Sequence, residues 1–340
     1  MELHLTAQEI DQIRSWLSPN NKVVLIAHAN ADGDAIGSVM GMYHLLQGHA
    51  IPILPTGCPY TFRWLPGTDH IVDAERQPKA AQEAMMEADV IVGLDFNEAG
   101  RINTCAEWLL ASKAKKLLID HHISPDRMLF DIVVSHDISS TCELVYWFFH
   151  EIYGDSVLNR EAARCLYTGI CTDTGSFSYS CEDPSLYLAT AALVGQQIEA
   201  AEIHNQIDNI FSVSRMRFHA FVLSERFRIY EEEHFAYLYI TLEEQRRFGI
   251  TPPDMEGLVQ YTMLLKDIEL GALLRERADG TVKISLRSKH EIDVCQIARE
   301  HFGGGGHLRA SGATVHASLT ETVVKFERVA RNVLSKQSKQ

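Results

Sequence analysis

Three apolar runs in this chain stop at side chains able to bind a metal: "VVLIAH" at His28, "VIVGLD" at Asp95 and "KLLID" at Asp120, with His121 and His122 directly after. Short uninterrupted apolar stretches bounded by polar residues read as strands buried on both faces, as in a parallel sheet covered by helices. Helical periodicity separates them, as in "AIGSVMGMYHLLQG" before the strand-like "AIPILP". This βαβ rhythm predicts an α/β fold whose N-terminal domain holds a parallel sheet flanked by helices. Sheets of this kind bind ligands beyond the carboxyl ends of their strands, so the three runs deliver their polar ends to one edge.

The chain has 340 residues, and domains usually hold about 100 to 200, so two domains are expected. Residues 1–195 form the expected metal-binding catalytic domain, and 196–229, longer in pattern and more polar, a helical linker. A smaller α/β domain over 230–340 opens with "HFAYLYITL" and closes with a helix over "ETVVKFERVARNVLSK". Inside it, two β-branched runs around "ADGT" carry the signature of a hairpin. In the first domain, Ser140 and Glu143 have the spacing of a capping box ahead of "LVYWFF".

A formal net charge of -14 excludes a protein that coats long nucleic acid through a general basic surface. It leaves room for a local basic pocket. The seven cysteines are scattered and form no C-x-x-C pair, as reduced structural thiols do. The opening "MELHLTAQEIDQ" lacks an apolar signal core, and no run reaches the length of a membrane span. A cytoplasmic protein with no membrane partner is expected.

"HANADGD" adds Asp32 and Asp34 to His28 in the turn that opens the next helix, and "GICTDTGSF" adds Asp173 after an apolar helix. One aspartate at a strand end is ordinarily a turn or cap residue. Repetition at matching strand ends points instead to a shared centre. Carboxylates and imidazoles without cysteine suit manganese, magnesium or another hard divalent ion better than a structural zinc site. So many acids repel one another unless cations neutralise them, and two ions about 3.5 to 4 Å apart are the economical arrangement, activating a water and stabilising a phosphoryl group.

Near the C-terminus "FGGGGHLRASG" places Gly303, Gly304, Gly305 and Gly306 before His307. Glycine lets successive backbone N–H groups converge on an anion. Arg287, at the end of a predicted strand in "ISLRSK", brings a fork-shaped donor suited to phosphate, and Lys289 a second charge. The other reading of the glycines is a flexible linker.

With these residues in view, the chain resembles the DHH phosphoesterases that carry a DHH-associated C-terminal domain. "HANADGD", "GLD", "DHH" and "TDTG" are similar to that family's four metal motifs in order, and "LRSK" with "GGGGHLRASG" to its substrate domain. The resemblance covers nearly the whole chain. It implies one metal on His28, Asp32 and Asp95 and another on Asp34, Asp95, His121 and Asp173, with Asp95 bridging. It implies that His122 faces the substrate phosphate or leaving group, that Asp120 orients the neighbouring imidazole, and that Arg287, Lys289, Gly303 to Gly306 and His307 hold the nucleotide. The implied cofactor is two divalent ions, manganese first, with magnesium or cobalt as substitutes. Two departures stand out: Ala31 occupies a place where the family often has proline, and Ser124, Pro125 and Asp126 follow the triplet where it often has asparagine.

Within the family, the length resembles that of small bacterial enzymes that degrade very short oligoribonucleotides and dephosphorylate 3′-phosphoadenosine 5′-phosphate. The implied activity is therefore metal-dependent phosphodiester and phosphomonoester hydrolysis on short oligoribonucleotides and small nucleotides, not long duplexes; a homodimer is compatible with it. Hydrolysis of cyclic dinucleotides or their linear products uses the same machinery and stays open. Size and acidity disfavour a processive single-strand exonuclease, and the glycine-rich grip disfavours an inorganic pyrophosphatase. A non-catalytic nucleotide-binding module is the alternative from another class.

Overall fold

The computed structural model describes residues 1, 3–208 and 211–337; residues 209–210 of the expected linker and 338–340 of the expected C-terminal domain lie outside the described residues. The chain divides into two compact units, Met1–Ile210 and Phe211–Gln340.

The first unit is built on strands β1 (Val23–Ile26), β2 (Ala50–Leu54), β3 (Val72–Asp73), β4 (Val90–Leu94), β5 (Lys115–Asp120) and β6 (Ile132–Ser135). They lie in the order β3-β2-β1-β4-β5-β6, and every pairing is parallel. The helices are α1 (Ala7–Trp16), α2 (Gly33–Leu45), α3 (Pro78–Glu87), α4 (Cys105–Ala111), α5 (Thr141–Tyr153), α6 (Arg160–Asp173), α7 (Pro184–Gly195) and α8 (Ala200–Asp208). Alternating side chains explain the layers: Val23, Leu25 and Val92 pack with residues of α2, α5 and α6, while Val24, Ile26 and Ile91 pack with residues of α3 and α4. Each such side chain, fully buried, stabilises by roughly 1.5–3 kcal/mol. The strand order reverses between β1 and β4, and a crevice opens at such a switch point beyond the carboxyl ends.

Helices α2 and α6 approach backbone to backbone. A Cβ on Gly37 would stand 2.6 Å from the Cys165 carbonyl oxygen, and one on Gly33 2.3 Å from the Thr172 hydroxyl. This closeness sets the C-terminus of α6, which carries Asp173, beside the N-terminus of α2, which carries Asp34. The capping box expected at Ser140 is one-sided. Ser140 Oγ accepts from the Glu143 N–H at 3.0 Å, but the Glu143 carboxylate is fully buried and turned to Ser139, Ser185 and Trp147. It ties α5 to α7 instead of closing its own cap.

The second unit holds α9 (Val213–Glu225), β7 (Phe227–Tyr230), β8 (Phe235–Ile240), α10 (Leu242–Phe248), α11 (Gln260–Met263), β9 (Leu270–Glu276), β10 (Val282–Ser288), α12 (Val294–Ile297), β11 (Gly305–Gly306), β12 (Ala310–Val315) and α13 (Leu319–Gln337). Its sheet runs β11-β12-β10-β9-β8-β7, antiparallel except between β8 and β9. The "ADGT" hairpin forms as expected, with Gly280 at φ 79° and the Arg277 N–H donating to the Thr281 carbonyl at 2.8 Å. One face packs Phe235, Leu274, Ile284 and Leu286 against Phe326 of α13, and the other packs Leu238 and Leu273 against Phe218 and Val222 of α9. Three strands of this unit were not anticipated, β12 among them. β7 starts inside the stretch read as helical linker, and β11 lies within the glycine run, where side chains give no strand signal.

Candidate metal centre

The turn after β1 and the first turn of α2 place His28, Asp32 and Asp34. Asp32 caps α2, its carboxylate accepting from the Asp34 and Ala35 N–H groups at 3.2 and 3.1 Å. Asp95 leaves β4 with φ 61°, a left-handed conformation that aspartate tolerates better than most residues and that aims it sideways. β5 ends in Asp120, and His121 and His122 follow.

Two imidazoles point the same kind of atom at this cluster. His28 donates its Nδ1–H to its neighbour's Ala29 carbonyl at 2.9 Å, and His121 donates from Nδ1 to the Ile138 carbonyl at 3.2 Å. A neutral ring whose Nδ1 carries the proton presents a lone pair at Nε2. His28 Nε2 stands 3.4 Å from Asp95 Oδ2 and 3.7 Å from Asp32. His121 Nε2 stands 3.6 Å from Asp95 Oδ1, 3.5 Å from Asp173 and 3.9 Å from Asp34. Lone pairs facing carboxylates across gaps longer than a good hydrogen bond fit cations between them. The donor set is also that of a hard divalent ion.

The residues sort into groups whose ligand atoms lie within 4.8 Å of one another: His28, Asp32 and Asp95; Asp34, His121 and Asp173; and Asp95, His121 and His122. Asp95 belongs to more than one, turning Oδ2 to His28 and Oδ1 to His121. The sequence-predicted metal residues are thus all brought together.

Electrostatics carry the same message. Burial, then Asp95 and Asp173, hold the Asp34 carboxyl well above its ordinary range. Burial and the neighbouring Asp95 and Asp32, against the pull of His121, bring Asp173 to about 6. Burial works against charge on His28 and His121, yet the carboxylates outweigh it and raise them to about 10 and about 9. Asp95 goes the other way: burial opposes its charge, but His28, His121 and His122 hold it below the usual carboxylate range. Without cations the cluster keeps protons where cations fit.

Sequence reasoning missed three supports. The N-terminus of α5 clamps Asp34, the Thr141 and Cys142 N–H groups donating to its two oxygens at 2.7 and 2.9 Å. The Thr141 hydroxyl donates to Asp95 at 3.0 Å. Arg101, in the short turn after β4, donates to His122 Nε2 at 2.8 Å while His122 Nδ1–H donates to Asp120 at 2.7 Å. The capping signal at Ser140 marked the helix terminus but not what it would hold. The other oxygen of Asp120 is buried with no hydrogen-bond partner among the described residues.

The second unit gathers the residues predicted to hold substrate. Arg287 lies opposite Ala310, which exchanges backbone hydrogen bonds with His307 at 2.9 and 3.3 Å. Gly305 and Gly306 pair with Gly312 and Ser311 as β11. Gly303 takes φ 68° and Gly306 φ 142°, while a Cβ on Gly304 would stand 2.1 Å from the Gly312 carbonyl oxygen. Lys289 turns its ammonium to the Leu265 carbonyl at 2.6 Å. Two cations were missed: Arg275 and Lys283 stand directly opposite each other on β9 and β10. Partial burial and the charges of Arg275 and Arg277 push the Lys283 ammonium down, and burial with Arg277 does the same to Arg275.

The pattern of the DHH family, N-terminal domain, matches residues 22–170, and that of the DHHA1 domain matches 232–335. The chain belongs to the DHH family. Bifunctional oligoribonuclease and PAP phosphatase NrnA of Thermus thermophilus is 29% identical over 298 residues, 86% of this chain and 84% of that protein. An exopolyphosphatase-related protein from Bacteroides fragilis, known from its crystal structure, is 34% identical and superposes with a TM-score of 0.93, covering 98% of this chain and all of that one. Exonuclease RecJ bound to manganese shares the fold at 13% identity, with a TM-score of 0.53 over 98% of this chain. As a DHH protein, the chain carries the triplet Asp120, His121 and His122 at the carboxyl end of β5, one strand from the switch point of its parallel sheet. No helix among the described residues is long and apolar enough to cross a membrane.

Proposed function

We propose that this protein is a two-cation phosphoesterase that hydrolyses short oligoribonucleotides to mononucleotides and 3′-phosphoadenosine 5′-phosphate to AMP and phosphate. The observation that carries the reading is the division of Asp95, one oxygen to His28 and the other to His121, in a chain similar to a bifunctional oligoribonuclease and PAP phosphatase over most of its length. His28, Asp32 and Asp95 would hold one ion; Asp34, Asp95, His121 and Asp173 would hold the other, with manganese the favoured metal. When bound, such ions supply Lewis-acid charge at the phosphoryl oxygens and lower the pKa of an attacking water.

The protein's own groups do the rest. Backbone carbonyls fix the His28 and His121 rings with Nε2 inward. The Thr141 and Cys142 amides at the start of α5 hold the Asp34 carboxyl aimed at the cluster. The buried Asp120 fixes the tautomer of His122. Residues 1–195 act as the catalytic domain and 230–340 as the substrate domain, with 196–229, which contains α8, α9 and the start of β7, as linker. Arg287, His307 and the Gly303–Gly306 loop hold the nucleotide. Lys289, tied to Leu265, braces the turn beside them.

The test gives the purified protein 3′-phosphoadenosine 5′-phosphate, a diribonucleotide, a longer RNA and a cyclic dinucleotide, each with manganese and with a chelator. Release of AMP and phosphate from the first, and of mononucleotides from the second, in manganese alone is the expected result. Preference for the cyclic substrate would move the activity to signalling nucleotides. Tight nucleotide binding without turnover would overturn the enzymatic reading.

A further inference from the structure

Arg101 enters this edge from a 3₁₀ turn, Ala99–Ile102, that follows β4. Its backbone carbonyl accepts from the Ala29 N–H at 2.8 Å, joining the turn to the loop that carries His28 and Asp32. Among the described residues its guanidinium is hydrogen-bonded to His122 and to no aspartate. That bond runs from Nη1 to His122 Nε2 at 2.8 Å. A cation beside a carboxylate cluster would ordinarily fall onto it, since unlike charges attract strongly where water is scarce. Here a guanidinium–imidazole–carboxylate chain, Arg101 to His122 to Asp120, holds it off the acids.

That chain assigns the His122 protons. Asp120 accepts at 2.7 Å from Nδ1, so Nε2 is the acceptor that receives Arg101. The same atom therefore faces a donor, and the ring stands as a prop for the guanidinium. A guanidinium has five N–H donors in a planar fork, and among the described residues only one of them is engaged. The others fit the oxygens of a phosphate, which a fork binds with geometry as well as charge.

We infer that Arg101 binds the substrate phosphate at the metal centre and that His122 and Asp120 position it for that contact. This rests on the phosphoesterase reading above and names a further substrate-binding residue in the first unit. It also gives the site a preference. A phosphomonoester dianion has one more unesterified oxygen than an internal diester, so removing Arg101 weakens 3′-phosphoadenosine 5′-phosphate hydrolysis more than dinucleotide cleavage. No bond is made or broken by Arg101 itself.

Arg101→Gln and Arg101→Lys are compared with the native protein in three measurements: manganese affinity, orthophosphate affinity of the manganese-loaded protein by calorimetry, and KM against kcat on both substrates. Arg101→Gln is expected to weaken orthophosphate about 10- to 100-fold, to raise KM by a similar factor, and to leave manganese affinity and Tm unchanged or slightly raised. Arg101→Lys recovers part of the loss, as charge returns without the fork. The Arg101→Gln, His122→Asn double variant is expected to bind orthophosphate no more weakly than Arg101→Gln alone, because His122 acts through Arg101. Native orthophosphate affinity in Arg101→Gln overturns the inference, as does a loss confined to manganese affinity or Tm, which would make the residue structural. Multiplying losses in the double variant would overturn the positioning role of His122. If the native protein binds manganese and orthophosphate but turns over neither substrate, the functional reading fails while the phosphate contact is still measured.

Discussion

His28 and His121 in the first unit are crowded by carboxylates and raised to about 10 and about 9. In the second unit His219 is buried, its Nε2–H held by the Asp254 carbonyl at 2.8 Å, and burial with the nearby Arg215 lowers it. The same contrast runs through the acids and bases around them. The first unit concentrates negative charge with its imidazoles locked inward, whereas the second sets Arg275 against Lys283 on adjacent strands, where like charges destabilise. Each unit sets a group of charged side chains at strands whose cores are otherwise apolar. On the proposed function, cations would complete the first arrangement and substrate phosphates the second.

The most severe way to break the first side of this contrast is Asp95→Asn. The side chain keeps its shape and can still meet Thr141, but one carboxylate no longer serves both histidines. Turnover is expected to fall by about 10³-fold or more, with far-UV circular dichroism and Tm of the chelated protein preserved. Near-native turnover would show that Asp95 does not bridge. On the second side, Arg287→Gln is expected to raise KM for a diribonucleotide about 10- to 100-fold with kcat little changed. A kcat loss with KM intact would place Arg287 in the chemical step instead of the nucleotide grip.

Much of the first side could be read from the chain because each buried parallel strand is one short apolar run, and its end is marked by the residue that breaks the run. His28, Asp95 and Asp120 are such breaks. What the sequence could not supply is the strand order, which makes β1, β4 and β5 neighbours and so turns scattered residues into one cluster. Arg101 was hidden for a related reason: "NEAGRI" has no periodicity, and its meeting with His122 depends on the fold of two separate loops. Arg275 and Lys283 meet only through the hairpin register, which sets them opposite each other. The glycine run was legible as a place of close approach, but not as a strand.

That last point sharpens the comparison at moderate size. Gly304 is needed because a Cβ there would collide with the Gly312 carbonyl at 2.1 Å, whereas a Cβ on Gly305 would meet nothing nearer than the Arg299 guanidinium at 3.9 Å. Gly304→Ala is expected to cost about 2 kcal/mol or more in urea unfolding. Gly305→Ala is expected to change stability by about 0.5 kcal/mol or less. If Gly305→Ala keeps its stability yet raises KM, the run grips phosphate through its backbone; if KM is native, the glycines serve the β11–β12 contact alone.

The smallest effect belongs to His219. Its folded pKa lies below the unfolded value near 6.5, so between the two the unfolded chain binds more protons and stability rises with pH. The contribution is complete above about pH 6.5 and is lost as the pH falls through the folded pKa. His219→Gln, whose amide can donate to the same Asp254 carbonyl, is expected to flatten that acid-side slope by about 1 kcal/mol or less. Urea titrations of the chelated protein at several pH values between 5 and 8 measure it. An unchanged slope would mean that the second unit's burial of a neutral histidine has no part in its acid sensitivity, and the contrast between the two units would then rest on their carboxylates and guanidinium groups alone.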